Sequence, residues 1–399
     1  MDVREAGETG RSKGRSMNYR RLGTTNLMVS EIGFGGEWLD RMSAQEAHDI
    51  TRRAAELGVN IVDCWMSDPE VRTRLGDACA EDPGHWIVQG HIGSTWQDGQ
   101  YVRTRDVEKC KVAFDDLLTR FHTDHVELGM MHYIDDLEEL KRCLEGPYRD
   151  FVEQLKAEGV IRHIGMSTHT AVCGSYAVEQ GAVEMMLFSI NPAYDMQPGD
   201  YDIETLTSAA DAEFAGFDAD RMELYRACER ADVGLTVMKA FAGGRLLDAD
   251  RSPFGVALAP AQCIHYALTR PAVASVMCGF GSVADLEADA AYCDATEEER
   301  DYASVLATAP RNNASGLCTY CGHCAPCPMG ISVAQVNKFY DLAEVQVSKG
   351  GEVPPLVRDH YWALDHHADE CVGCGGCEER CPFGVGVIDR MEKAAALFA

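Results

Sequence analysis

Two stretches near the end of the chain decide how that part folds: Cys318-Thr-Tyr-Cys-Gly-His-Cys-Ala-Pro-Cys-Pro328 and Cys371-Val-Gly-Cys-Gly-Gly-Cys-Glu-Glu-Arg-Cys-Pro382. Their spacings are C-x2-C-x2-C-x2-C-P and C-x2-C-x2-C-x3-C-P. Two residues between successive cysteines let the thiolates surround one small inorganic core, and the intervening glycines let backbone N–H groups approach its sulfur atoms. The proline after each last cysteine turns the chain away. The two runs therefore predict iron–sulfur clusters.

Zinc and disulfides are the alternatives for a cysteine-rich segment. Neither needs four closely spaced cysteines that end in Cys-Pro, and the chain has two such runs. In two-cluster ferredoxins the fourth cysteine of each run binds the cluster of the other run. We therefore predict two 4Fe-4S clusters, with Cys318, Cys321, Cys324 and Cys381 on one and Cys371, Cys374, Cys377 and Cys327 on the other. Three nearby histidines are predicted to be hydrogen-bonding or solvated residues and not ligands: His323, His366 and His367.

The composition excludes several functions. The 399 residues carry 64 acidic and 36 basic side chains and a formal net charge of −28, which argues against nucleic-acid binding because that needs a basic surface. The charge suits docking of a basic redox protein partner. No apolar run is long enough for a membrane span. Nine further cysteines are scattered singly and predict reduced core thiols of a cytoplasmic protein.

The body of the chain, residues 17–308, alternates short apolar runs with longer amphipathic stretches. Eight strand–helix units predict a closed (β/α)8 barrel, and Gly33-Phe-Gly-Gly-Glu-Trp38 does not fit the G-x-G-x-x-G of a Rossmann fold. The predicted strands are 31–34, 60–64, 86–91, 125–132, 161–167, 185–191, 234–241 and 275–279. The main predicted helices are 44–57, 69–80, 106–121, 137–158, 221–231 and 260–268.

Other segments lie outside this alternation. Residues 1–16 are polar and glycine-rich and predict a disordered extension. Residues 194–218 predict a long irregular insertion after strand six, either a surface loop or a lid or docking loop at the end of the barrel where active sites form. Residues 309–316 read as a linker. Residues 317–399 predict a small, α-helical, ferredoxin-like two-cluster domain, with a serine-capped helix at 332–347.

Several segments of the barrel resemble the aldo-keto reductase family. They are residues 17–36 (MNYRRLGTTNLMVSEIGFGG), 58–63 (GVNIVD), 123–132 (TDHVELGMMH), 158–167 (EGVIRHIGMS) and 237–244 (VMKAFAGG). Together with the cysteine-rich tail, the chain resembles the iron–sulfur branch of that family. The resemblance implies a TIM-type barrel and an oxidoreductase that transfers hydride between a nicotinamide cofactor and a small-molecule carbonyl substrate.

The resemblance also implies site residues, with two departures. Typical members use an Asp, a Tyr, a Lys and a His; Asp63 and His132 stand where the Asp and the His are expected. Asp68 stands in place of the proton-donating Tyr and His91 in place of the Lys. Asp68, followed by Pro69, is better explained as a helix N-cap.

His91 and His132 lie at predicted strand ends on the catalytic face, so catalytic roles for Asp63, His91 and His132 are predicted. The alternatives are buried core histidines, with Asp63 as their structural partner.

Positions for the nicotinamide cofactor follow from the same resemblance. Ser167 matches a residue that binds the nicotinamide amide, although Thr168 replaces the usual Asn. Lys239, Gly243 and Gly244 lie where the family surrounds the pyrophosphate. After strand eight, Gly279-Phe-Gly-Ser282 lacks the cation that many members use for the NADP 2′-phosphate, so this segment gives no preference for NADPH over NADH.

Three functions remain open at this point. The first is nicotinamide-linked carbonyl chemistry with electrons passing through the clusters. Because hydride donors transfer two electrons and clusters transfer one, this function usually needs a mediator such as flavin, for which no motif is recognisable. The second is reduction or reductive elimination by single electrons from the clusters, without nicotinamide. The third is a non-catalytic electron-transfer subunit.

Overall fold

The computed structural model describes residues 17–208, 216–309, 316, 318–348 and 350–399. The predicted N-terminal extension and residues 310–315 of the predicted linker lie outside the described residues. Within them, the prediction of a (β/α)8 barrel followed by a small, mainly helical domain is confirmed.

Eight parallel strands form a closed barrel. Each strand pairs with the next along the chain, and the last pairs with the first, with Val276 opposite Ile32. Their side chains are almost all buried, as expected for parallel strands that are covered by helices. The barrel strands are β3 (Ile32–Gly35), β4 (Ile61–Cys64), β5 (Ile87–Ile92), β8 (Val126–Met131), β9 (Ile161–Thr168), β10 (Met185–Ser189), β11 (Gly234–Met238) and β12 (Val273–Gly279).

A hairpin of β1 (Tyr19–Arg21) and β2 (Met28–Ser30) closes one end of the barrel, which we call the base. Leu22 and Val29 of this hairpin pack inside the barrel with side chains of the strands. Gly23 lies against Gly234 at the start of β11, with φ +52, and a Cβ on Gly23 would lie 2.3 Å from the Gly234 nitrogen. The strands start at the base. Their carboxyl ends therefore meet at the opposite, open end of the barrel, which we call the mouth.

Helices surround the barrel, and one prediction about them is wrong. The stretch 137–158 forms two helices because Gly146 is extended and Pro147 starts a new helix. The helices of this part are α1 (Ala44–Glu56), α2 (Pro69–Cys79), α3 (Val107–Arg120), α4 (Leu137–Leu144), α5 (Pro147–Ala157), α6 (Ala171–Glu179), α7 (Pro192–Asp195), α8 (Ile203–Ser208), α9 (Ala219–Arg230), α10 (Pro260–Leu268), α11 (Val283–Ala290) and α12 (Tyr302–Thr308).

Two further segments differ from the prediction. The insertion at 194–218 is not wholly irregular, since it contains α8, while its residues 209–215 lie outside the described residues. Its two ends meet, because the Asp218 N–H donates to the Asp195 carbonyl at 2.7 Å. A hairpin of β6 (Ser94–Gln97) and β7 (Gln100–Arg103), which was not predicted, follows barrel strand β5.

The cysteine-rich part is helical and packs beside the base. The hydroxyl of Tyr302 donates to the Thr319 carbonyl at 2.8 Å, and Arg270 donates to the same oxygen. Lys338 pairs with Glu229 at 2.9 Å. The helices are α13 (Val333–Ser348), close to the predicted helix, α14 (Pro355–Trp362), α15 (Gly376–Glu379) and α16 (Val387–Phe398). No helix within the described ranges is long and apolar enough to cross a membrane.

Candidate active site at the barrel mouth

The three residues predicted to be catalytic lie together at the mouth. Asp63 is the penultimate residue of β4, His91 is the penultimate residue of β5, and His132 directly follows β8. All three side chains are buried. Parallel neighbouring strands bring their carboxyl ends to one edge, which is why three residues far apart in the sequence converge.

A continuous hydrogen-bond chain joins these side chains. Asp63 Oδ1 lies 2.9 Å from His91 Nε2, and His91 Nδ1 lies 2.8 Å from His132 Nδ1. Below them, Gln89 donates its amide N–H to the same Asp63 oxygen at 2.8 Å and accepts from the Thr236 hydroxyl at 2.8 Å. A carboxylate within a buried chain of this kind orients the imidazoles, so both the catalytic and the structural interpretation are compatible with the geometry. The catalytic roles stay a prediction.

A fourth side chain, Tyr101, joins the chain and was missed in the sequence. Its hydroxyl lies 2.8 Å from His132 Nε2. Tyr101 belongs to β7 of the unpredicted hairpin, which folds back over the mouth, and its ring lies edge-on to Trp65, with 5.6 Å between the ring centroids. The only sequence signal was Asp98-Gly99, a two-residue turn typical of hairpins. That turn predicts the hairpin but not where the hairpin packs.

The protonation states at the mouth follow from burial and nearby charge. The pKa of His132 is well below its usual value, first because of burial and then because of repulsion from His91 and Arg105, so His132 is neutral near pH 7. The pKa of Tyr101 is raised by burial, against a lowering by Arg103 and Arg105. The phenol therefore keeps its proton at neutral pH.

Asp68 is the N-cap of α2, as predicted. Its carboxylate accepts from the backbone N–H of Glu70 at 2.8 Å and of Val71 at 3.2 Å, and Pro69 is the first helical residue. The Asp68 carboxylate therefore stabilises the start of a helix.

We expect the Asp68→Ala substitution to lower the free energy of unfolding by about 1 kcal/mol and to change turnover less than about threefold, a change of under ~1 kcal/mol. Urea unfolding and initial rates measured on the same preparations check both parts. Asp68→Asn is the matched control, since asparagine is an equally good N-cap. A loss of turnover above about a hundredfold in both variants would show that the carboxylate takes part in the chemistry.

The predicted nicotinamide residues lie at the carboxyl ends of β9 and β11, the two strands that flank β10. Ser167 is buried near the end of β9, and its hydroxyl oxygen accepts from the Tyr133 backbone N–H at 2.8 Å. Its hydroxyl proton remains available for a ligand. The next residue, Thr168, donates its hydroxyl to Asp135 at 2.9 Å.

Lys239, Gly243 and Gly244 form a turn after β11. All three have positive φ, of 62°, 64° and 83°. Apart from each glycine's own atoms and its two chain neighbours, no atom of the described residues lies within 4 Å of a Cβ built on Gly243 or Gly244. Open space over such a turn lets a phosphate approach the backbone N–H groups closely. The Lys239 ammonium lies 3.6 Å from Glu37, so a phosphate bound there would compete with this carboxylate.

The eight cysteines of the C-terminal runs line two separate small cavities. One is lined by Cys318, Cys321, Cys324 and Cys381; the other is lined by Cys327, Cys371, Cys374 and Cys377. Each cavity thus combines three cysteines of one run with the last cysteine of the other, which is the grouping that the predicted pairing requires. Apolar side chains such as Phe383 and Met391 complete the walls.

This donor set suits iron–sulfur clusters. In a cluster each thiolate binds a different iron atom, so the cysteines stand apart. Among the described residues, no group of three or more histidine, cysteine or acidic side chains closes around a single metal ion, as a zinc site would. The three nearby histidines contact acidic side chains: His323 lies 3.0 Å from Asp301, His366 lies 2.8 Å from Glu370, and His367 lies 3.9 Å from Glu370.

Comparison with known proteins agrees with this division of the chain. Residues 31–259, more than half of the chain, match the model of the aldo/keto reductase family. The chain belongs to the aldo-keto reductase family. Residues 314–385 of this aldo-keto reductase match the model of a 4Fe-4S dicluster domain. The chain therefore combines an aldo-keto reductase barrel with a domain of the 4Fe-4S dicluster type.

One relative and several solved structures are similar to a large part of the chain. The uncharacterized oxidoreductase YqkF of Bacillus subtilis is 31% identical over 193 residues, which cover 46% of this chain and 60% of that protein. Two solved structures are 22% identical: the aldo-keto reductase AKR11C1 from Bacillus halodurans in its holo form (TM-score 0.56, 71% of this chain and 94% of that one), and the putative aldo-keto reductase PA4992 from Pseudomonas aeruginosa (TM-score 0.53, 69% and 94%). At this identity they establish the fold alone.

Proposed function

We propose that this aldo-keto reductase interconverts a small carbonyl compound and its alcohol at the barrel mouth, and that its two 4Fe-4S clusters exchange electrons with a redox partner. The observation that carries the proposal is the buried Asp63–His91–His132 hydrogen-bond chain, which lies where the barrel strands end. Such a chain is suited to moving a proton to or from a substrate oxygen.

A nicotinamide, when bound, supplies or removes the hydride. Ser167 is the residue for its amide, and Lys239 with the backbone of Gly243 and Gly244 is the site for its phosphates. The hydroxyl proton of Ser167 and the open space over the two glycines support this placement. The role of this part of the chain is to hold the carbonyl carbon and the hydride donor in line while keeping water out.

The clusters, when assembled, supply one-electron transfer. A cleft of about 1210 Å³ lies between the base and the cysteine-rich part, and Cys321 and His323 line it together with Gly234 and Val273, the first residues of β11 and β12. The cavity lined by Cys321 is therefore beside the base. We propose that the redox partner docks on this side and not at the mouth.

The mouth favours a neutral substrate. The two nearest arginines are already engaged: Arg103 donates to the Tyr133 carbonyl, Arg105 donates to the His132 carbonyl, and both pair with Glu139. The aromatic rings of Trp65 and Tyr101 stand at the opening. An uncharged aldehyde or ketone next to an apolar group fits these surroundings better than an anion.

The test is anaerobic titration with NADH and NADPH, with 4-nitrobenzaldehyde and a panel of aliphatic and aromatic ketones as probes. Absorbance of the nicotinamide and of the clusters is followed separately. We expect one of the two nicotinamides to be oxidised in proportion to the carbonyl compound that is reduced. Failure of both nicotinamides with every probe would contradict the proposal. Reoxidation of dithionite-reduced clusters by a probe, without nicotinamide, would support direct reduction by the clusters instead.

A further inference from the structure

The hairpin of β6 and β7 places the phenol of Tyr101 at the mouth, although the sequence did not predict that this segment contributes to the site. Asp98 and Gly99 connect β6 and β7 with positive φ at both positions, 52° and 78°, as the favoured two-residue hairpin turn requires. The Tyr101 ring lies edge-on to both Trp65 and His132, with 5.6 and 5.9 Å between ring centroids. These contacts position the ring independently of its hydroxyl group.

The donors and acceptors in the chain from Asp63 to Tyr101 can be assigned by starting at Asp63. Asp63 Oδ1 already accepts from the Gln89 amide, and we take it to accept from His91 Nε2–H as well, so His91 Nε2 carries a proton. With His91 neutral, its Nδ1 accepts from His132 Nδ1–H. The other nitrogen of His132, Nε2, then accepts from the hydroxyl of Tyr101. Each of the three distances, 2.9, 2.8 and 2.8 Å, suits a hydrogen bond.

We propose that Tyr101 is the catalytic residue that exchanges a proton with the substrate oxygen, and that His132 and His91 return this proton through the chain that ends at Asp63. The inference rests on the proposed carbonyl–alcohol activity. Tyr101 would take the part of the family's tyrosine, whose position in the sequence is occupied by the helix cap Asp68. The two histidines would connect the phenol to a carboxylate where the family has a lysine.

In the state that reduces the carbonyl, His91 carries one additional proton, which balances the proton transferred to the substrate oxygen. In that state His91 donates from both nitrogens, His132 Nε2–H donates to the phenol oxygen, and the phenol O–H points to the substrate. The carbonyl carbon gains a hydride from a reduced nicotinamide, and its oxygen gains the Tyr101 proton. Tyr101 is reprotonated from His132 Nε2, and His132 Nδ1 is reprotonated from His91. His91 ends neutral, and the reverse sequence oxidises the alcohol.

The surrounding charges favour His91 as the residue that holds the additional proton. Asp63 and His132 are the titratable groups in hydrogen-bond contact with His91, and the carboxylate stabilises a positive charge there. His132 is opposed by burial and by the charges of Arg103, Arg105 and His169. Because reduction consumes the additional proton of the chain and oxidation returns it, carbonyl reduction should slow as pH rises, while alcohol oxidation should accelerate.

The test compares Tyr101→Phe with wild type, using the probe and nicotinamide that give wild-type turnover. We expect kcat to fall by ~10²–10⁴-fold with KM changed less than about threefold, because the phenylalanine ring keeps the contacts with Trp65 and His132. The fall of the reduction rate with rising pH should disappear from the residual rate, because water then supplies the proton. Tyr19→Phe is the matched control: the Tyr19 hydroxyl donates to the Gly58 carbonyl at the base, so kcat should not change.

Equal circular dichroism and iron content in the three proteins exclude a folding defect as the cause. A Tyr101→Phe enzyme with kcat within about threefold of wild type, or with an unchanged pH profile, would overturn the assignment of Tyr101 while leaving the proposed function intact. Wild-type protein that turns over no probe in either direction would instead overturn the proposed function, and this inference with it.

Discussion

Replacing Arg221 with methionine is expected to lower the free energy of unfolding by about 3–5 kcal/mol, the usual cost of removing one partner of a buried ion pair. Arg221 in α9 is fully buried, and its Nε lies 3.1 Å from the carboxylate of Asp195. It also donates to the His169 and Ser189 carbonyls. The substitution leaves the Asp195 charge with hydrogen bonds only from hydroxyl groups, and it removes the donors of both carbonyls.

The measurement is the urea midpoint of anaerobically purified protein, with cluster absorbance recorded in the same samples. Arg52→Met is the matched control, because the ion pair of Arg52 with Asp49 is exposed and contributes about 0–1 kcal/mol. A second substitution, Asp195→Asn, should recover part of the loss in the Arg221→Met background, since it removes the unpaired charge. Equal destabilisation by Arg221→Met and Arg52→Met would contradict this explanation.

The buried ion pair of Arg221 and Asp195 also explains the position of the insertion at 194–218. Besides Arg221, Asp195 accepts hydrogen bonds from the hydroxyls of Tyr225 and Tyr266. Its backbone carbonyl accepts from Asp218 at the other end of the insertion. The ends of the long segment after β10 are thus fixed by a satisfied polar network, so a chain of this length can leave and re-enter the barrel at one place.

The barrel could be predicted because each strand is recognisable from its own short stretch of sequence. Buried parallel strands read as apolar runs, so the eight strands were found, with bounds that differ by a few residues. The break between α4 and α5 was also locally encoded, by Gly146-Pro147, but the amphipathic pattern on both sides concealed it. Asp63, His91 and His132 could be grouped in advance, because residues at neighbouring parallel strand ends converge in any such barrel.

Tyr101 could not be placed in the same way. Its position depends on how a hairpin folds over the mouth, and this is determined by packing against Trp65 and His132, which are distant in the sequence. The family resemblance predicts a phenol near residue 68, where the chain has the carboxylate of Asp68. The structure brings a phenol to the same histidine from a different element, so the contact is recognisable only in three dimensions.

The two proposed chemistries, at the mouth and at the clusters, would be separated by the length of the barrel. β12 takes six steps from Val273 at the base to Gly279 at the mouth, which at about 3.3 Å a step and a tilt of about 36° amounts to about 16 Å. Electrons from the cavity of Cys321 would have to cross this distance to reach a substrate beside Tyr101. The clusters are better situated for a partner at the base, which is why the proposed function assigns carbonyl chemistry to the mouth alone.

The predicted pairing binds each cluster with three cysteines of one run and the last cysteine of the other. Removing one cysteine is therefore expected to have a second large effect, the loss of half of the iron. Cys318 and Cys381 come from different runs but line the same cavity, whereas Cys327 lines the other. Cys318→Ala and Cys381→Ala should therefore each lower iron from about eight to about four atoms per chain. Because both variants should keep the same cluster, their reduced forms should give one and the same electron paramagnetic resonance spectrum, and Cys327→Ala should give a different one.

The matched control is Cys293→Ala, a cysteine that lies outside both cavities, next to Met17. It should keep about eight iron atoms per chain. If each run instead bound its own cluster, Cys381→Ala would share its spectrum with Cys371→Ala, and Cys327→Ala would share its spectrum with Cys318→Ala. That result would contradict the interleaved pairing while leaving the number of clusters at two. Iron near four atoms in the unaltered protein would contradict the second cluster itself, because each cubane holds four.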